Sequence, residues 1–449
     1  MSKFLDKLRD DNHRSRLKDD SLISDSPQAA IRGTAYDALV LEAHLRHSLV
    51  TVRSLGSRGL RVAALETFDG VPAFSSRWCQ QAFACPTDGS AEVFLARLEQ
   101  VLDRTRTGVL ITSADADVAL IQRHRERLEK RVRIALARES TLRIALDKEQ
   151  TLEIARAVGL GIPRSVMVTT ASDVQAALAE VGLPAVVKPV RSWFWDERQS
   201  LGLACKLVTT PGEASSAIEA FTKLGVAALF QQYLPGRREA VSFLFANGQV
   251  YARFAQWAKR TVPPLGGTSV LRQSIAVPPD IGEQAERLVR TIELEGNSEV
   301  EFRRSSDGTP YLMEINPRLS ASVEVAVRAG VDFPYRLYQW ASGRKIDVMR
   351  HYQTGKWMRH LGGDVMTTID AIHQRGRPGV ASPKKMILDF CASFFVPMGY
   401  DYLDWRDPLP AWIASFDFTR YLLQQKGKKL LRRISNELIG EGSLSTETL

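Results

Sequence analysis

The chain has 449 residues, 44% hydrophobic and 25% charged, and its 60 Lys and Arg outweigh 51 Asp and Glu to give a net charge of +9. This is an ordinary globular composition, long enough for about two or three domains, and its basic excess suits an anionic ligand without singling out nucleic acid. No apolar run approaches the roughly 18 residues of a membrane span, the opening MSKFLDKLRDDNHRSRLKDD has no signal-peptide core, and Cys79, Cys85, Cys205 and Cys391 form no CxxC pair, so a reduced, cytoplasmic setting is expected.

Residues 1–34 are polar, with mixed charges, and read as a flexible leader. From Asp37, ALVLEAHLRHSLVTVRSLGSRGLRVAALETF reads as a short apolar strand, a helix, a turn at Ser57 to Gly59 and a second strand, Val62 to Leu65, which makes one right-handed βαβ unit. A helix at Glu92 to Leu102, a strand at Gly108 to Ser113 and a helix from Asp115 repeat the pattern. Residues 35–140 are therefore expected to form a doubly wound parallel sheet. A helix from Lys148 then ends near Gly159 to Gly161, a strand runs into Val168, ASDVQAALAEVG is a capped helix, and LPAVVKPV is an apolar strand broken only by Lys188. The later strands, ALFQQYL, AVSFLFANGQVYARFAQWA, SVLRQSIAV, SEVEFRRS and PYLMEINP, are long and partly alternating, which favours an antiparallel sheet. The expected order is an α/β domain, then an α+β domain over 141–345 with a small lobe to about 230 and a large lobe beyond it. A mostly helical C-terminal extension over 346–449 ends in the basic helix YLLQQKGKKLLRRISNELIG.

Two stretches carry the chemistry. In SEVEFRR, Glu299 and Glu301 share a strand face, and in YLMEINPR, Leu312 and Glu314 do. A hairpin across SSDGT would make Glu301 and Glu314 cross-strand neighbours, which repel unless a cation sits between them. Asn316 adds a neutral oxygen to give a set suited to Mg²⁺ shared with phosphate, and Arg318 would reach the anionic group being transferred. The alternative is two acids on a solvated face, paired with Arg303 or Arg304. The seven His residues do not cluster at zinc-binding spacings, and no GxGxxG follows the first strand.

DGTPYLMEINPRLSAS, with the acid of VEF before it, resembles the metal-binding strand pair of the ATP-grasp ligases, most closely the carbamoyl-phosphate synthetase type. The resemblance covers roughly residues 35–345 and implies a pre-ATP-grasp sheet followed by a two-lobed ATP-grasp domain. It implies that Glu301, Glu314 and Asn316 bind Mg²⁺, with Mn²⁺ as a substitute, and that Arg318 steadies the phosphates or an acyl phosphate. Lys148 of LDKEQT and Lys188 of LPAVVKPV match the family's ATP-binding lysines. Gln231, Gln232, Tyr233 and Leu234 match the adenine hinge, and Glu239 matches the ribose-binding acid. WAKRTVPPLGGTSVLRQS resembles the acyl-site loop, where Gly266 and Gly267 allow close approach and Arg260 and Arg272 hold carboxylates; a plain surface turn is the alternative.

The chain departs from the family after Lys188, where RSWFWDERQSLG puts Trp193, Phe194 and Trp195 in place of a Gly-rich phosphate loop. Either Arg191 and Ser192 replace that cradle, or the loop is an altered lid. The implied activity is an ATP- and Mg-dependent joining of a small carboxylate, such as an amino acid, to an amine through an acyl phosphate, with Arg318, Arg260 and Lys188 as the catalytic residues. A bicarbonate-using carboxylase and a non-catalytic ATP-binding module are the alternatives. No nucleic-acid partner is expected. Homodimers are common among such ligases, and KGKKLLRR is either a solvated helix end or a weak contact with an anionic membrane.

Overall fold

The computed structural model describes residues 35–440 apart from 88, 191–192, 196–199, 204 and 265, with the backbone alone at 193–195, 200–202 and 425–440. The expected leader, the proposed Arg191 and Ser192 cradle, the lid aromatics and the side chains of the basic KGKKLLRR run lie outside what is described.

The first sheet contains β1 (Ala38–Val40), β2 (Val62–Glu66), β3 (Gln81–Ala84), β4 (Val109–Ile111) and β5 (Arg133–Ile134), all parallel in the order β3-β2-β1-β4-β5. Its central strands are buried on both faces, as their unbroken apolar runs require. Leu39, Leu65 and Leu110 pack with Leu95 and Leu98 of the helix Ala91–Thr105. Val40, Val62 and Ile111 pack with Leu49, Val52 and Leu55 of the helix Arg46–Gly56.

The second sheet contains β6 (Ser165–Val168), β7 (Ala185–Pro189), β10 (Lys206–Val208) and β11 (Ala228–Gln232) in the order β10-β7-β11-β6, and β8 (Trp193–Trp195) pairs with β9 (Ser200–Gly202) as a separate two-stranded sheet. The third sheet has seven strands, β12 (Arg237–Ala246), β13 (Gln249–Val262), β14 (Thr268–Ile275), β15 (Gly296–Arg304), β16 (Pro310–Asn316), β17 (Trp357–Arg359) and β18 (Gly399–Tyr400), in the order β16-β15-β12-β13-β14-β17-β18. It is antiparallel except where β17 meets β18.

Core continuity separates these parts mechanically. The first core runs from the parallel sheet into Val241, Phe243, Val300, Phe302 and Leu312 of the third sheet, and the second runs into Leu244, Phe254, Phe333 and Leu337. The second sheet has its own core of Val168, Val187, Ile218, Phe221 and Phe230, with only Leu229 among its buried described residues joining the first core. The lobe carrying Lys188 is thus packed as a unit, while the first and third sheets share their hydrophobic interior.

The chain beyond residue 345 is mostly helical, with helices Leu361–His373, Pro383–Ala392 and Leu409–Gly440, and its two short strands extend the third sheet. The last helix leaves Leu409, Trp412, Phe416 and Leu423 exposed. Among the described residues no helix is long and apolar enough to cross a membrane. Buried ion pairs tie this extension to the first sheet's helix. Arg53 Nε donates to Asp407 Oδ2 at 2.9 Å, and the same carboxylate accepts from the Ser76 hydroxyl at 2.7 Å and the Arg77 amide at 2.9 Å. Removing the carboxylate strands a buried guanidinium, so Asp407→Ala should lower unfolding free energy by about 3–5 kcal/mol. Urea titration checks this, and a loss below about 1 kcal/mol, the scale of an exposed pair, would show the contact to be incidental.

Candidate functional site

The β15–β16 hairpin forms across SSDGT because Gly308 takes a φ of +87°, open to glycine, while Asp307 accepts the Thr309 amide at 2.9 Å. Its register sets Glu301 directly opposite Glu314 and Glu299 opposite Asn316, with a bulge just past Glu301. Four polar side chains therefore share one face of a sheet whose other face is core. Arg238 of β12 contacts Glu301, and Asn316 Nδ2 donates to Glu301 Oε1 at 3.1 Å. Glu299 is held in a neutral cage, accepting from Gln256 at 2.8 Å, Ser320 at 2.9 Å and Ser242 at 3.2 Å. Burial raises the Glu301 pKa, Arg238 pulls it back, and Glu314 and Glu299 push it up again, leaving it at about 7.

Arg318 donates from Nε to Asp115 Oδ1 at 2.5 Å and from Nη2 to Asn316 Oδ1 at 3.4 Å. Burial works against its charge, but Asp115 more than compensates and holds the guanidinium above its ordinary range. Lys188 lines the same cavity on β7, and burial lowers its pKa while Glu314 partly offsets that. Among the described residues it has no hydrogen-bond or ion-pair partner, the state expected of an ammonium awaiting an anion. Lys148 opens the helix Lys148–Ala157 and lines an adjoining cavity of about 360 Å³ that shares Glu314 and Asn316.

The hinge expected over Gln231 to Leu234 leaves the third core strand of the small lobe and lines the main cavity. The Gln231 side chain is buried and its Nε2 has no partner. The Gln232 and Tyr233 amides donate to Arg164 and Pro184 carbonyls at 2.8 and 3.3 Å, whereas the Leu234 amide has no partner among the described residues. An unpaired buried donor at each end of the hinge suits the hydrogen-bonding edge of a base.

Two expected residues sit elsewhere. Strand alternation puts Arg238 and Glu239 on opposite faces of β12, and the register with β15 turns Arg238 toward the cavity. Glu239 is instead enclosed by Arg237 at 3.0 Å and Arg304 at 2.8 Å, off the cavity wall, so the ribose contact expected of it does not hold. Arg260 is also committed: its Nε and Nη2 each donate to Asp364 at 2.6 Å in a buried bidentate pair, which removes it from the catalytic set. The loop bearing Gly266 and Gly267 does line the cavity, and the Gly267 carbonyl accepts from Arg238. A side chain at Gly267, whose φ is +98°, would strike the Val262 carbonyl at 2.6 Å.

The main cavity, about 2300 Å³, exceeds the roughly 300–1,000 Å³ of ordinary ligand sites. Sequence reasoning missed Arg238, Asp115, the Glu299 cage and the wall built by residues 359–421. No group of three or more His, Cys, Asp or Glu with metal-holding geometry occurs among the described residues. Glu301, Glu314 and Asn316 fit a hard cation only if further oxygens, such as phosphates, complete its shell. An acid whose folded pKa is raised favours folding below its unfolded value and loses that contribution as pH climbs through the folded one. The metal-free protein should therefore lose thermal stability between its ordinary 4.5 and about 7 on account of Glu301, and Glu301→Gln should flatten that slope. Melting temperatures scanned against pH in chelator decide this, and an unchanged slope in the variant removes Glu301 as the cause.

The family described as ATP-grasp in the biosynthetic pathway with Ter operon matches residues 226–362, from just before the Gln231–Leu234 segment through the β15–β16 hairpin to β17. A carbamoyl phosphate synthase large chain from Methanoregula boonei is 25% identical over 213 residues, covering 44% of this chain and 19% of that one. A D-alanine-D-alanine ligase from Paracidovorax citrulli is 29% identical over 213 residues, covering 43% of this chain and 61% of the ligase. The chain thus spans less than two thirds of either relative. The fold extends further: the crystal structure of N5-carboxyaminoimidazole synthetase from Staphylococcus aureus superposes with a TM-score of 0.56 at 13% identity, covering 76% of this chain and 87% of that one. With its parallel sheet, two lobes and helical extension, the chain has the ATP-grasp fold, and its residues 226–362 match an ATP-grasp family.

Proposed function

We propose that the protein is an ADP-forming ligase that joins a small carboxylate to an amine. The observation that carries this reading is the in-register pair Glu301 and Glu314, ending beside Asn316 and Arg318 and facing the same cavity as Lys188. Glu301, Glu314 and Asn316 would hold magnesium, which when bound supplies positive charge against the β- and γ-phosphates. Lys148 and Lys188 bind the phosphates, and the unpaired donors at Gln231 and Leu234 receive the base.

In the first step a carboxylate oxygen of the substrate bonds to the γ-phosphorus as the bond to the β–γ bridging oxygen breaks, giving an acyl phosphate and ADP. The nucleophile already carries its charge, so positioning and charge neutralisation dominate, and Arg318 steadies the transferring phosphoryl group. An amine then attacks the acyl carbon, loses a proton and expels phosphate. Arg260 has no part in this reading, because Asp364 occupies it.

ADP release with Mg²⁺, ATP and pooled amino acids tests the reading. One pool should stimulate release, and Glu314→Gln should cut that stimulated rate by about 100-fold or more while leaving the melting temperature near that of the parent. Full turnover by the variant would sink the metal assignment, and stimulation by bicarbonate in place of a carboxylate would redirect the reading to a carboxylase.

A further inference from the structure

One end of the main cavity carries positive charge that the protein itself does not balance. Arg46 and Arg272, 3% and 0% exposed, share the single carboxylate of Asp401: Arg46 Nη1 donates at 2.6 Å and Arg272 Nη2 at 2.5 Å. Burial alone would raise the Asp401 pKa, yet the two guanidiniums hold it below the usual carboxylate range. The trio keeps one net positive charge. Arg46 Nη2 and Arg272 Nε go to the Ser269 and Ser322 carbonyls at 2.9 and 3.3 Å, but Arg46 Nε is buried with no partner.

The surroundings add donors. Arg46 and His47 open the helix Arg46–Gly56, whose N-cap Leu45 supplies no capping side chain and whose first turn holds no acid. Their backbone amides have no hydrogen-bond partner among the described residues. His47 is 5% exposed and held neutral by burial and the neighbouring Arg318, so its Nε2–H donates to the Ser113 carbonyl at 3.2 Å and its Nδ1 is left as an acceptor. His360 Nδ1 is buried and unpartnered. His44 to His47, His360, Asp401 and Ser322 all line the cavity, and Arg318 is the charged neighbour of His47 on the side of the metal hairpin. Of the nearby acids, Asp401, Asp115, Glu66 and Glu324 already contact Arg46, Arg318, His44 and Arg328, respectively, and Glu299 is held by the neutral groups of Gln256, Ser320 and Ser322.

We propose that this end of the cavity is an anion site, formed by the first-turn amides of the helix Arg46–Gly56 with Arg46 and His360, while Arg272, off the cavity wall with all three nitrogens engaged, adds charge without touching the anion. The site holds a carboxylate or phosphate group of the substrate other than the nucleotide. A helix N-terminus, a buried guanidinium excess and unpaired donors all favour the same ligand charge. Because Asp401 and His360 come from the C-terminal extension, that extension takes part in choosing the substrate. The assignment of the anion to a substrate rests on the ligase reading.

The test adds acetate, succinate or inorganic phosphate to the full chain, with and without saturating Mg²⁺ and ADP, and follows melting temperature and heat of binding. At least one anion should stabilise the wild type saturably at one site, and Arg46→Met should weaken that binding by about 10-fold or more with ADP affinity unchanged. In anion-free buffer Arg46→Met should melt at or above the wild-type temperature, since it leaves Arg272 and Asp401 as a one-to-one pair. If that variant is too unstable to titrate, His360→Leu, which leaves the trio intact, must show the same weakening. A response confined to acetate and succinate assigns a carboxylate, and one confined to phosphate assigns a phosphoryl group. No saturable effect in the wild type overturns the site, as does a response undiminished in the variants. Failure of ADP to bind would sink the ligase reading alone, because the anion titration of the nucleotide-free chain still reports on this site.

Discussion

The arrangement depends on keeping two carboxylates opposite each other on neighbouring strands. Glu301 and Glu314 would repel in any sheet, and the register that pairs them is enforced from the opposite face, where Phe302 and Leu312 are packed in the first core. A slip of one residue would turn Glu301 into that core and Phe302 into the cavity, which is the larger penalty. The repulsion is contained locally by Arg238 and the Asn316 amide. The hydrophobic pattern of one face thus fixes the electrostatics of the other.

The same logic extends across the cavity. The chain's excess of basic residues is not only a surface property, since Arg46, Arg272 and Arg359 are almost fully buried. Arg260 and Arg359 share Asp364 much as Arg46 and Arg272 share Asp401, and the Arg359 guanidinium also lies over Phe390 and Phe394 at 4.5 and 4.2 Å. Acids placed one to two bases leave a local excess of positive charge in the interior. A cavity lined this way favours anionic ligands over neutral ones before any specific contact is made.

What the sequence revealed follows from how local each signal is. The hairpin acids lie on adjacent strands joined by a short turn, so that turn was enough to pair them, but alternation set Leu312 on the face of Glu314, whereas the bulge past Glu301 pairs Leu312 with Phe302 on the core face. Lys188 was legible because a lysine inside an apolar strand demands an explanation. Glu239 was misassigned because alternation says that Arg238 and Glu239 face opposite ways without saying which faces inward; that is decided by pairing with β15, about 60 residues away. Arg260 looked available because its partner, Asp364, lies on a helix of the extension. The trio at Asp401 joins residues from three distant stretches, and no periodicity or motif links them.

The C-terminal extension is where local reading is weakest and structure adds most. By composition it resembles an appendage, yet β17 and β18 complete the third sheet and Asp364, Asp401 and Asp407 each receive arginines from earlier in the chain. Deleting it would take the carboxylate partners from Arg46, Arg53, Arg260 and Arg272. A wall held by such pairs cannot be exchanged without repacking.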